Sequence, residues 1–139
     1  MELKRVVVTG LGALTPIGNN IDTYWKGLIS GKSGCGPITY FDTEHFKTKF
    51  ACELKKFNVL DFFDRKEARK MDRFTQYAMV ASDEAIIDAK LDLDSLNKLR
   101  VGVIWGAGIG GIETFQNEVM NFANGNGTLV YSITGTASE

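Results

Sequence analysis

Arg5-Val6-Val7-Val8-Thr9-Gly10-Leu11-Gly12 decides the fold class. A continuous β-branched run reads as a strand buried on both faces, inside a parallel or mixed sheet, and the glycines after it read as a tight turn. The pattern returns at Val101, Val103, Ile104 and Trp105, which run into Gly106-Ala107-Gly108-Ile109-Gly110-Gly111. A helix is expected next, with Ile112, Phe115, Val119 and Phe122 on one face, ending near Asn124-Gly125-Asn126-Gly127. Between these two themes, Asn20 or Asp22 is placed to N-cap a helix that carries Tyr24, Trp25, Leu28 and Ile29 and stops at Gly31. Residues 34–46 read as irregular, with Gly36-Pro37 as a turn, and Phe50, Cys52 and Leu54 alternate with polar or small neighbours as the inward face of a short strand. The longest helix is expected from about Arg65 to Ala89. Met71, Phe74, Ala78, Ala81 and Ala85 share one of its faces, a stripe small enough to let a neighbouring backbone come close. Leu91 to Leu99 reads as a polar connector. Strands alternating with helices define an α/β protein.

The composition sets bounds on function. The chain has 139 residues, enough for about one domain, with 44% apolar and 24% charged residues. That excludes wholesale disorder. A net charge of -1 argues against a dedicated nucleic-acid binder. No apolar run approaches the roughly 20 residues a membrane span needs, and no secretory leader precedes the first strand, so a cytoplasmic protein with reduced thiols is the expectation. Cys35 and Cys52 form no disulfide framework and no C-x-x-C pair. Glycine, at 15 residues, is about 11% of the chain against a usual ~7%, which fits turns and close backbone approaches.

Residues 106–111 match G-x-G-x-x-G after a strand and before a helix, the setting of a dinucleotide site in which a pyrophosphate rests on a helix N-terminus. Against a small nucleotide-binding domain stands the missing ribose-binding acid: after Glu118 the next acidic residue is Glu139. Gly31-Lys32-Ser33 resembles the end of a phosphate loop, but its spacing is one residue short and it follows a helix. His45 stands alone in a polar loop, and no metal-ligand spacing exists, so neither a metal nor a cofactor is expected. Cys52 is expected to be inward and inert, while the exposure of Cys35 is open. Residues 64–73 are the most charged segment, with Lys66, Arg69, Lys70 and Arg73 on one side of the expected helix. A solvated helix start explains such a run. Basic residues in a first turn oppose the helix dipole, however, which favours a partner for them.

Four segments together resemble one family: Arg5–Gly12, Thr15-Pro16-Ile17-Gly18-Asn19, Arg69-Lys70-Met71-Asp72-Arg73-Phe74-Thr75-Gln76-Tyr77-Ala78 and Gly106–Gly111. They are similar in order and spacing to the N-terminal part of the elongating β-ketoacyl-acyl-carrier-protein synthases, type II condensing enzymes of the thiolase superfamily, from residue 2 to about residue 127. The resemblance implies most of the first half of a layered α/β/α/β/α thiolase-like fold. It also implies fatty-acid elongation by decarboxylative Claisen condensation, with acyl and malonyl thioesters as substrates, acyl carrier protein as partner and a homodimer. By matching positions, Ile109 lines the acyl pocket, and Lys66, Arg69 and Lys70 form the basic patch that meets the acidic carrier protein. The family's nucleophilic cysteine and two histidines have no counterpart here: Cys35, Cys52 and His45 lie outside the matching positions. The chain alone is therefore expected to be inactive.

Residues 128–139 depart from the family pattern and are expected to be a divergent tail, either a short strand over Leu129–Ile133 or an end left by cloning, frameshift or gene truncation. Thr136-Ala137-Ser138 echoes the family's nucleophile motif with serine for cysteine, too early and without the helix that would activate it. The alternative to a synthase portion is a non-catalytic α/β module that docks acyl carrier protein or dimerises.

Overall fold

The computed structural model describes residues 3–125. They form two units, one of residues 3–58 with 80–101 and one of residues 59–79 with 102–125.

In the first unit, residues 3–14 have no regular secondary structure. Their glycine segment, Gly10–Gly12, lies on the second half of a long helix, Arg73–Asp88 (α3 below). A Cβ on Gly10 would fall 2.3 Å from the Ala85 carbonyl oxygen, and one on Gly12 only 1.8 Å from that of Ala81. Glycine on one side and alanine on the other let two backbones touch, as the alanine stripe predicts. Two carboxylates of the helix then tether the segment. Leu11 N donates to Asp88 Oδ2 at 2.9 Å, and Ala13 N donates to Glu84 Oε2 at 2.8 Å. The other Glu84 oxygen accepts from Ile21 N at 2.8 Å.

Ile21 opens α1 (Ile21–Ile29). Asn20, not Asp22, is its N-cap: Asn20 Oδ1 accepts from Thr23 N at 2.8 Å and Thr23 Oγ1 accepts from Asn20 N, a reciprocal capping box. The helix stops as expected at Gly31, whose φ of 63° is left-handed. Gly31 N donates to Leu28 O and Lys32 N to Gly27 O, a full Schellman ending. The Gly31-Lys32-Ser33 sequence is thus a helix terminator, not a phosphate loop.

Gly36–Pro37 forms β1, where a turn was expected, and pairs antiparallel with β2 (Phe50–Ala51) in the only ladder among the described residues. Proline is admissible there because a two-residue edge strand asks little of its missing N–H. Cys52 is exposed, and Ala51 and Glu53 are the more sheltered side chains, the reverse of the expected facing. Glu53 is fixed at the surface, its carboxylate accepting from Thr39 N at 2.9 Å and Thr39 Oγ1 at 2.7 Å, while of the expected inward set only Leu54 is part-sheltered.

The two expected central strands are not strands here. Residues 6–8 and 101–105 have no ladder partner among the described residues, and their side chains are exposed, Val6 at 89% and Ile104 at 100%. A β-branched run becomes a buried strand only when neighbours hydrogen-bond its edges and layers cover its faces. The described residues supply neither.

The expected helix over 65–89 is broken in two. In the second unit α2 spans Arg65–Ala68 and α3 begins at Arg73. Asp64 caps α2, accepting from Lys66 N and Glu67 N at 2.7 and 2.8 Å. Residues 69–72 form a turn, and Gln76 closes it: its Nε2 donates to the carbonyl oxygens of Ala68 and Met71, both at 3.0 Å. The Ala68 carbonyl otherwise accepts only a long 3.4 Å bond from Met71 N, and Gln76 is 9% exposed, so a buried polar side chain supplements the helical bonds the break weakens. Within the connector, Lys98–Arg100 makes one 3-10 turn, and α4 spans Ile112–Ala123. The expected divergent tail over 128–139 and the expected strand over Leu129–Ile133 lie outside the described residues.

Candidate functional site

Lys66, Arg69 and Lys70 are brought together on α2 and the turn that follows it, and all three are exposed. The break changes their electrostatics. Arg69 is the C-cap of α2 and Lys70 lies just past it, so both sit at a helix end that favours positive charge. The conflict with the helix dipole inferred for a continuous helix is thus removed for Arg69 and Lys70, while Lys66 stays in the first turn of α2 beside its Asp64 cap. Arg73 does not belong to the patch: it begins a different helix, and its Nε lies 3.0 Å from Glu113 Oε2.

Ile109 sits in the glycine turn before α4 and is 74% exposed. The turn is fixed from behind by the start of α3. A Cβ on Gly110 would fall 2.9 Å from the Phe74 ring. Gly111 is the N-cap of α4, has a left-handed φ of 69° and offers no side-chain cap. The carboxylate of Asp72 stands in its place: a Cβ on Gly111 would lie 2.8 Å from Asp72 Oδ2, and Thr114 Oγ1 in the first turn of α4 donates to Asp72 Oδ1.

An aspartate already standing at that first turn bears on the G-x-G-x-x-G motif. A pyrophosphate there would meet a like charge, and Gly106 and Gly108 have open space where a Cβ would go. The glycines serve the turn, not a nucleotide. Cys35, Cys52 and His45 are exposed and belong to the first unit, and no cluster of metal-ligating side chains exists among the described residues.

Asp72, Gln76 and Thr114 are the residues that sequence reasoning missed. Asp72 lay inside a charge run read as solvated helix. The available signal was its residue type one position before an apolar-periodic segment, the mark of a helix start.

Comparison with known proteins places this scaffold: the chain belongs to the β-ketoacyl synthase N-terminal domain family, whose model matches residues 3–139. Its fold is accordingly a partial α/β fold of the thiolase-like kind. The chain is 51% identical over 118 residues to 3-oxoacyl-[acyl-carrier-protein] synthase 2 of Synechocystis, covering 85% of this chain and 28% of that protein. It is 54% identical over 113 residues to the Staphylococcus aureus (strain COL) protein of the same name, covering 81% and 27%. Among solved structures it is similar to a β-ketoacyl synthase from Burkholderia phymatum, at 27% identity and TM-score 0.70, over 96% of this chain and 32% of that one. It is also similar to a type II PKS acyl-carrier protein in complex with its ketosynthase bound to the hexaketide, at 29% identity and TM-score 0.69, over 86% and 32%. The chain thus spans between a quarter and a third of the length of these relatives.

Proposed function

We propose that this chain is the N-terminal portion of a β-ketoacyl-acyl-carrier-protein synthase that extends fatty acids by decarboxylative Claisen condensation of acyl and malonyl thioesters. The observation that carries this reading is an identity of 51–54% to 3-oxoacyl-[acyl-carrier-protein] synthase 2 through four-fifths of the chain. In this reading residues 1–127 are the synthase portion, and they supply support rather than chemistry. Lys66, Arg69 and Lys70 dock the acidic acyl carrier protein, an exposed contact that speeds encounter and is screened by salt. Ile109 contributes an apolar side chain to the acyl pocket. The nucleophile and its histidine partners come from the rest of a synthase, as do the ladder partners and layers that cover Val6–Val8 and Val101–Trp105. The protein acts in the cytoplasm as a homodimer; among the described residues no helix is long and apolar enough to cross a membrane. A carrier-protein-docking module without catalysis is the second reading, favoured by the exposed cluster of Lys66, Arg69 and Lys70.

A chimera tests the first reading. Residues 3–125 of this chain replace the matching segment of the Staphylococcus aureus synthase, and the purified chimera is assayed with acyl and malonyl carrier-protein thioesters. Turnover within about tenfold of the parent, a difference of ~1.4 kcal/mol in barrier, is expected. The 139-residue chain alone should give no turnover above a heat-killed control. A folded chimera no faster than that control would overturn the synthase reading.

A further inference from the structure

We propose that Asp72 is the positioning residue of the Ile109 turn, and that through it carrier-protein docking on Lys66, Arg69 and Lys70 is felt at Ile109; the inference rests on the docking reading above. The contacts form an unbroken chain within one unit. The basic turn ends at Met71, whose carbonyl is held by Gln76. Asp72 follows directly, and its own carbonyl accepts the first backbone bond of α3 from Gln76 N at 3.0 Å. The Asp72 side chain then crosses to α4, where it takes the Thr114 hydroxyl and lies against Gly111. The next residue repeats the crossing through Arg73 and Glu113, and Phe74 closes on Gly110.

Three consecutive residues, 72 to 74, thus touch Gly110, Gly111, Glu113 and Thr114. Ile109 is the next residue back along the turn, and no hydrogen bond of its own fixes it. Of the three contacts, that of Asp72 governs the helix start, because Gly111 brings no cap and a carboxylate there also suits the dipole of α4. Glycine at 111 is required twice over, by its left-handed φ and by the carboxylate against it. Ordering the basic turn therefore removes freedom from Asp72 and, through the Thr114 bond, from the turn that holds Ile109. Coupling of this kind needs no change of average shape.

The experiment is amide hydrogen exchange of the full chain with and without acyl carrier protein, for wild type, Thr114→Val and Thr114→Ser. Carrier protein should slow exchange at Lys66–Met71 and also at Gly110–Ile112, the latter by about fivefold or more. Thr114→Val keeps the side-chain shape and removes the donor. It should bind carrier protein as wild type does but lose the response at Gly110–Ile112, and Thr114→Ser should restore it. Exchange along Thr75–Met79 of α3, in the same unit, should be the same in all three proteins and reports a fold that has survived. If Thr114→Val unfolds, the wild-type comparison alone decides. Protection at Lys66–Met71 with none at Gly110–Ile112 overturns the coupling and leaves docking standing. No protection at either overturns the docking reading and the coupling with it. A full response in Thr114→Val removes the role of Asp72.

Discussion

Gly12→Ala should be among the most damaging single-methyl additions in the first unit. The added Cβ would sit 1.8 Å from the Ala81 carbonyl oxygen and 2.9 Å from the Ala85 nitrogen. Reaching an ordinary non-bonded separation requires the segment and α3 to part by about 1.5 Å. The obstacle is backbone, so no rotamer relieves it. The same displacement stretches the two tethers on either side, Leu11 N to Asp88 at 2.9 Å and Ala13 N to Glu84 at 2.8 Å, beyond hydrogen-bonding range. Overpacking costs about 1–3 kcal/mol, and loss of hydrogen bonds to charged acceptors adds to it, less here because those groups are partly solvated. A loss of about 2–4 kcal/mol follows. Urea unfolding followed by far-ultraviolet circular dichroism measures it, with Gly102→Ala as the control, since a Cβ at Gly102 meets nothing within 4 Å. Adding Ala81→Gly should not rescue Gly12→Ala, because the clash is with the carbonyl and not the methyl. A Gly12→Ala chain within ~0.5 kcal/mol of wild type would refute the close-approach argument.

Glu84→Gln leaves one of its two amide partners facing an NH₂ group, so stability should fall by about 1–2 kcal/mol and exchange should quicken at either Ala13 or Ile21; unchanged exchange at both would contradict the tether. The backbone N–H and then the hydroxyl of Thr39 hold the Glu53 carboxyl below its ordinary range. A carboxyl lowered by folding stabilises the β1–β2 hairpin fully above its unfolded pKa, and that contribution is lost as pH falls through the lower folded value. Thr39→Val removes one of the two donors, so a carbon-detected titration of Glu53 should move upward toward the ordinary value, and an unmoved curve would show that the hydroxyl is irrelevant. Lys66→Glu with Arg69→Glu should weaken carrier-protein binding about tenfold at low salt and much less at high salt, with the urea midpoint unchanged; equal affinity at low salt would return these residues to a solvated face.

Local signals in the sequence were read correctly where the physics is local. A cap at Asn20 or Asp22 and the stop at Gly31 each depend on a few neighbouring residues; the alanine stripe announced a close neighbour, though not that it would be the Gly10–Gly12 segment. The helix break at 69–72 was missed because the apolar spacing of Met71, Phe74 and Ala78 continues through it. Within the break Asp72 bonds to a residue 42 positions away, and periodicity carries no trace of that. The strand readings at Val6–Val8 and Val101–Trp105 fared differently. The sequence states a demand for buried, paired β structure, and the partners that meet such a demand are not among the described residues. Of the site, the charge and exposure of Lys66, Arg69 and Lys70 were legible. The contact of Asp72 with Thr114 and Gly111 was not, since it joins two stretches through side chains alone.

The Gln76 bridge has a consequence for how the chain meets proteases. Arg65, Lys66, Arg69 and Lys70 offer four trypsin sites within six residues, on a single-turn helix and the turn that follows it. A protease needs several residues in extended form, so cutting there waits on local opening of 65–72. The two carbonyls gripped by Gln76 flank Arg69 and Lys70, and the grip must be released before either bond is presented. Limited digestion at this dibasic step is therefore a clock for one buried amide group, running faster whenever Gln76 lets go.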